Sequence, residues 1–162
     1  MTHLPEGDAP PAAIPPAAFE RALRAYEEGR RLDMGALAAE LGMSRATLYR
    51  RVGSHDRLLG AVLWYRSRQL LAALLDATAG LDGAARVLAI VEGYLREVHD
   101  RPALRALRER DPDGALRVLT SQDSPVHRGL RRLLVSVLAE EEERGALALT
   151  IDRETLAYVV VR

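Results

Sequence analysis

The chain has no cysteine and no lysine. Without cysteine there can be no disulfide, no thiolate zinc site and no thiol nucleophile. The missing lysines, beside 23 arginines and abundant alanine and leucine, reflect the codon habit of a GC-rich genome rather than a functional choice. Aromatic side chains make up only 4% of the residues, and no sustained period-2 alternation runs through the sequence, so strands are not expected. No apolar run reaches the roughly 18 residues of a membrane span, which predicts no membrane partner. The first arginine is Arg21, so a basic start to a signal peptide is also missing. Together these absences predict a cytoplasmic protein.

Chemical motifs are scarce as well. The four histidines (His3, His55, His99, His127) fall into no metal-binding spacing, and there is no glycine-rich phosphate loop and no G-x-S-x-G elbow. The expectation is therefore no metal, no cofactor and no enzyme. Glu140 to Glu143 put four carboxylates near a helix C-terminus, where the helix dipole disfavours them. They read as a solvated, strained helix end rather than an acid–base site.

What the sequence does have is apolar content, 48% over 162 residues, enough for one domain or a small module joined to a second. The 23 acidic residues balance the arginines overall, but not locally. From Ser44 to Arg68 six arginines stand against Asp56 alone, whereas from Gln69 onward 13 face 15 acidic residues. Such a block suits a nucleic-acid module beside another domain, and equally a solvated helix face.

Five of the eight prolines lie in residues 1–16, which read as a disordered tail. The rest reads as helix. Phe19, Ala22, Leu23 and Tyr26 share one face of a first helix that stops near Gly29. Asp33 caps a short second helix that ends at Gly42, and Ser44 caps a third, Arg45 to about Arg51, broken by Gly53. Ser54 caps a long fourth helix to about Ala77. A fifth, from about Asp82 to Val98, carries Val87, Leu88, Val91, Leu95 and Val98 as its stripe. Pro102, Pro112 and Pro125 suit first-turn positions of three more helices. The last of these buries Val126, Leu130, Leu133, Leu134, Val137 and Leu138, and ends at Gly145. A final helix starts at Asp152 with Leu156, Val159 and Val160 as its stripe, although the run Val159–Val161 taken alone would also suit a strand.

Met34 to Arg51 carries the functional signal: two short helices joined by Gly42-Met43-Ser44 form a helix-turn-helix. Ala38 is small where the helices approach, and Leu37, Leu41, Met43 and Leu48 close a miniature core. The second helix then offers Arg45, Thr47, Tyr49 and Arg50 to a DNA major groove. Guanidinium groups read guanine in bidentate fashion, and hydroxyls suit phosphate oxygens. An ordinary helical hairpin is the bland alternative.

The run Phe19-x-x-Ala22-Leu23-x-x-Tyr26-x-x-Gly29, then Leu37-Ala38-x-x-Leu41-Gly42-Met43-Ser44-Arg45-Ala46-Thr47-Leu48-Tyr49-Arg50, then Ser54-His55-Asp56-x-Leu58-Leu59 resembles the N-terminal domain of the TetR/AcrR family of transcriptional regulators. The likeness covers about residues 17–65. In the C-terminal half, Arg101-Pro102-Ala103-Leu104, Leu116 to Ser121 and Leu156-Ala157-Tyr158 resemble the QsdR branch of that family. The resemblance implies an all-α homodimer whose N-terminal domains bind a near-palindromic operator in double-stranded DNA. It also implies a C-terminal bundle with the dimer interface and a pocket for a small-molecule effector.

Position by position, Ser44, Arg45, Thr47, Tyr49 and Arg50 match the family's recognition helix. His55 stands where the family usually has a phosphate-contacting lysine, and a histidine carries less positive charge than a lysine near neutral pH. Val52 replaces the usual aromatic residue, and Asp33-Met34 the usual Thr/Ser start. Trp64, Tyr65, Tyr94, Arg105 and His127 are the candidates for lining a ligand pocket, with plain core packing as the alternative for Trp64 and Tyr94.

The expected division is a tail over 1–16, a helix-turn-helix domain over 17–53, and a ligand-binding and dimerisation domain over 54–162. The last helix runs out at Arg162 amid apolar residues, so the natural protein is expected to continue, with dimerisation of this chain weakened. The function so implied is that of a ligand-responsive regulator, a repressor released from its operator by a small molecule. A DNA-binding protein without an effector and an all-α interaction module are the alternatives.

Overall fold

Short polar side chains start most of the helices. In the computed structural model of the chain, Asp33, Ser44, Ser54, Asp111, Ser124 and Asp152 each accept a hydrogen bond from a backbone N–H of the helix that follows. Each cap satisfies a donor that the helix itself leaves unpaired. The structure describes residues 14–121 and 124–162, which form α1 (Pro16–Glu27), α2 (Met34–Glu40), α3 (Arg45–Val52), α4 (His55–Ala77), α5 (Gly83–Asp100), α6 (Pro102–Arg110), α7 (Pro112–Thr120), α8 (Pro125–Glu143) and α9 (Arg153–Val161). Among the described residues there is no strand, so the all-α expectation holds and Val159–Val161 are helical. No described helix is long and apolar enough to cross a membrane.

The first thirteen residues of the expected tail lie outside the described residues. Its last three are a correction. Ile14 is buried at 3% exposure and Pro16 opens α1, where a proline loses no helical hydrogen bond.

Helices α1, α2 and α3 close on the first half of α4. Phe19, Ala22, Tyr26, Leu37, Leu48, Val52, Leu58 and Val62 share one apolar core. The second half of α4 faces different partners, Leu71 and Leu75 packing with Ile90, Leu133 and Val137 of α5 and α8. A third cluster joins Leu134 and Leu138 of α8 to Ala157 of α9. Thus α4 belongs to two cores at once. It crosses α8 closely because two glycines leave room: a Cβ at Gly129 would run into the Trp64 ring, and one at Gly60 would stand 3.1 Å from Pro125 Cδ.

Three expectations about packing are corrected. Leu88 and Leu95 of α5 are 58% and 60% exposed, and the buried side of the helix runs through Gly83, Arg86 and Ile90. On α9, Ala157 is buried whereas Val159 is 63% exposed and Val160 is exposed too. Nor is Glu140–Glu143 simply a solvated end. Glu141 is fully buried at 0% exposure, with Oε1 taking a hydrogen bond from Arg86 Nη1 at 2.6 Å and Oε2 one from the Gly83 amide at 2.7 Å.

The first and third corrections share a cause. A charged residue whose partner lies 55 positions away in the chain can sit in the core, and it turns α5 away from the face its leucines mark. Gly83 holds φ at +52°, and a side chain there would strike the Ala146 carbonyl, so the start of α5 is clamped under the turn after α8. Burial pushes the Glu141 carboxyl up, but Arg86, the Gly83 amide and Arg144 outweigh it and hold it below the usual carboxylate range.

Arg86→Met should leave the buried Glu141 carboxylate with only the Gly83 amide and Arg144, at a cost of about 3–5 kcal/mol in denaturant unfolding at neutral pH. Because the folded carboxyl is held low, its contribution is complete above the ordinary carboxylate range and is lost as pH falls through the folded value. A thermal unfolding series from neutral to acid pH should therefore show a steeper loss for the parent chain than for Arg86→Met.

Candidate nucleic-acid interface and regulatory cavity

The turn between α2 and α3 depends on conformation rather than space. Gly42 holds φ at +63° with nothing within 4 Å of where a Cβ would stand. Any other residue would pay for the left-handed backbone alone. Leu37, Ala38 and Leu48 are buried between the two helices. With Leu48 fixed inward, α3 turns Arg45, Tyr49 and Arg50 to the outside and leaves Thr47 half-buried.

The hydroxyls on α3 divide their work. Ser44 Oγ accepts from the Thr47 amide at 3.2 Å and donates to Thr47 Oγ1 at 3.0 Å. The Ser44 hydroxyl is spent on the cap, so the Thr47 proton is the one left to donate outward. Tyr49 and His55 lie with Arg45 along one cleft. His55 Nδ1 pairs with Asp56 Oδ1 at 2.9 Å, and Arg117 Nε of α7 donates to Asp56 Oδ2 at 3.3 Å. The His55 contact holds the Asp56 carboxyl low, with burial opposing it and Arg117 adding to it. An ion pair between Arg66 and Glu27 ties α4 to α1 further along.

The expected pocket residues do not gather round one cavity. Tyr94 lines an apolar cavity of about 120 Å³ between α4, α5, α8 and α9, with Leu71, Ile90, Leu133 and Val137 among its walls. Its hydroxyl bonds Ser67 Oγ at 2.9 Å, and burial pushes the phenol up despite that contact. Trp64 lies half-buried on Gly129 at the join of the two larger cores. Tyr65 packs edge-on against Phe19 at 5.5 Å, and His127 is buried in α8. Arg105 is exposed on α6 and lines none of these cavities. Among the described residues, no cluster of histidine and carboxylate side chains could hold a metal.

Ser67 and Gly129 escaped the sequence reading. A glycine inside a helical pattern does signal close approach of a neighbour, so Gly129 was findable. Nothing local marks Ser67.

Residues 82–162 match the model of the tetracyclin repressor-like C-terminal domain. The solved structure of the R. erythropolis transcriptional repressor QsdR, from the TetR family, is similar over 90% of this chain and 76% of that one, with 30% identity and a TM-score of 0.82. The chain belongs to the TetR family. No curated protein matches it in sequence. As a family member it is a DNA-binding transcriptional regulator, which points away from an enzyme. The expectation from the N-terminal helix-turn-helix thus agrees with a family model that covers the other half, and the likeness to QsdR accords with the residues that suggested that branch.

Because the Ser44 hydroxyl closes the cap, Ser44→Ala should cost about 1 kcal/mol in stability, measurable as a lower thermal midpoint without any DNA present. Thr47→Val should leave that cap bond in place and lose far less.

Proposed function

We propose that this TetR-family protein is a repressor that works as a homodimer in the cytoplasm and leaves its operator when a small molecule binds the helical bundle. Residues 17–53 form its DNA-binding domain and 54–162 its ligand-binding and dimerisation domain. Ser44 caps the recognition helix, Arg45 reads a base, and Thr47, Tyr49, Arg50 and His55 meet the phosphates. The observation that carries this reading is the double membership of α4. Its first turn holds His55 beside α3, and two turns beyond Trp64 it reaches Leu71, a wall of the apolar cavity.

Operator binding needs two recognition helices about 34–36 Å apart. A ligand that prefers a bundle with another spacing lowers DNA affinity by reciprocal coupling, on the order of 1–3 kcal/mol. The cavity, at about 120 Å³, is below the ~300–1,000 Å³ usual for ligand sites. We therefore read it as contracted, and an effector that widens it pushes on α4. Exposed Val159 and Val160 of α9 support pairing with a second copy.

Two measurements test the reading. Arg45→Ala should cost about 1–3 kcal/mol at the operator and relax specificity at one position, whereas Arg50→Ala should weaken all sequences alike and flatten the salt dependence. Unchanged binding in both variants would remove α3 from the interface. In an anisotropy titration of labelled genomic fragments, compact apolar compounds should release the DNA and shift Trp64 emission. If no compound class does either, the effector has no place in this account.

A further inference from the structure

A second, larger cleft of about 490 Å³ opens between α1, α3 and α6 and shares no lining residue with the apolar cavity. Its floor is apolar, with the half-buried Leu32 and Leu107 among the lining residues. Its rim is cationic. Arg31, Arg45 and Arg110 line it, all three are exposed, and none makes a hydrogen bond or ion pair with a described residue.

Two carboxylates share the rim: the Ala36 and Gly35 amides hold Asp33 low, with Arg31 and Arg45 adding to it, but with Arg30 the arginines outnumber the aspartates four to two. Asp33 Oδ1 accepts from the Gly35 and Ala36 amides, and Asp111 Oδ1 from the Gly114 amide, so both serve as helix caps. Three guanidinium groups without hydrogen-bonded partners above an apolar floor select a ligand with both characters. We infer that this cleft binds an organic anion with an apolar body, and that such a ligand competes with DNA.

The chemistry follows from the two surfaces. A carboxylate, sulfonate or phosphate head takes the planar, charge-assisted hydrogen bonds that arginine offers, and an apolar body covers Leu32 and Leu107. DNA phosphate meets the first requirement only, since a duplex has nothing to lay on the floor of a cleft. Competition follows because Arg45 belongs both to the cleft and to the outer face of α3. Arg110 does not, being on α6.

Anilinonaphthalene sulfonate and its uncharged parent, phenylnaphthylamine, separate the two surfaces, because both fluoresce in apolar sites and only one has the anionic head. The full chain should bind the sulfonate about tenfold or more tightly than the neutral amine, a gap of ~1.4 kcal/mol. Arg110→Glu should erase that preference while leaving amine binding as it was. A duplex fragment at low salt should displace the sulfonate from the parent chain. Equal affinities for the two dyes, or a sulfonate preference that survives Arg110→Glu, would overturn the site. Arg110→Glu weakening DNA uniformly, with no sulfonate preference in the parent, would make the cleft part of the DNA footprint instead. The dye measurements stand apart from the operator reading, and only the displacement step rests on it. Sulfonate bound in the cleft but not displaced by DNA would overturn the competition alone.

Discussion

The contact of the Trp64 ring with Gly129 sets how near α4 and α8 can come, and both halves of the molecule depend on that distance. A methyl group at Gly129 would meet the ring. Protein interiors are close-packed, so either the ring must turn away or the helices must part. With α4 held there, its first half can complete the core of α1, α2 and α3, and its second half can close one wall of the cavity. The same helix is tied sideways to α1 through Arg66 and Glu27, and to α7 through Asp56 and Arg117. These exposed pairs contribute little to stability, but they fix direction. One continuous helix thus joins the bundle core to the core of the helix-turn-helix.

Helix beginnings were legible in the sequence, and helix faces only in part. Asp33, Ser44, Ser54 and Asp152 cap the next turn of the chain, so each start is decided within three residues of the cap. The helix-turn-helix is local in the same sense: Gly42, Ala38 and Leu48 act on neighbours a few positions away. The face of α5 is different. Arg86 is buried only because Glu141, remote in sequence, is buried opposite it, and no pattern within α5 can reveal that. A hydrophobic stripe drawn through Leu88 and Leu95 was the reasonable local answer, and tertiary structure overrode it.

The candidate pocket residues are scattered for a related reason. Rarity of aromatic side chains says that Trp64, Tyr65 and Tyr94 matter to packing, but not on which side of α4 or α5 each one falls. Tyr94 reaches the cavity, while Tyr65 turns to Phe19. Arg105 stands on the outer face of α6, where proximity in the chain to Pro102 gave no warning of its direction. On α3, by contrast, the buried Leu48 settles the orientation of every other side chain, which is why the outward residues could be named from spacing alone.

The two ends of α5 are held very differently. At its start, Gly83 is clamped under the Ala146 carbonyl, and Arg86 and Glu141 lock it to α8. Toward its far end, the Tyr94 hydroxyl bonds Ser67, Gly93 lies against Leu74, and Val98 packs on the first core. A guest between Tyr94 and α4 would face apolar contacts and one neutral hydrogen bond there, against a buried ion pair at the other end, so the Tyr94 side of the helix is the one with less to lose by giving way.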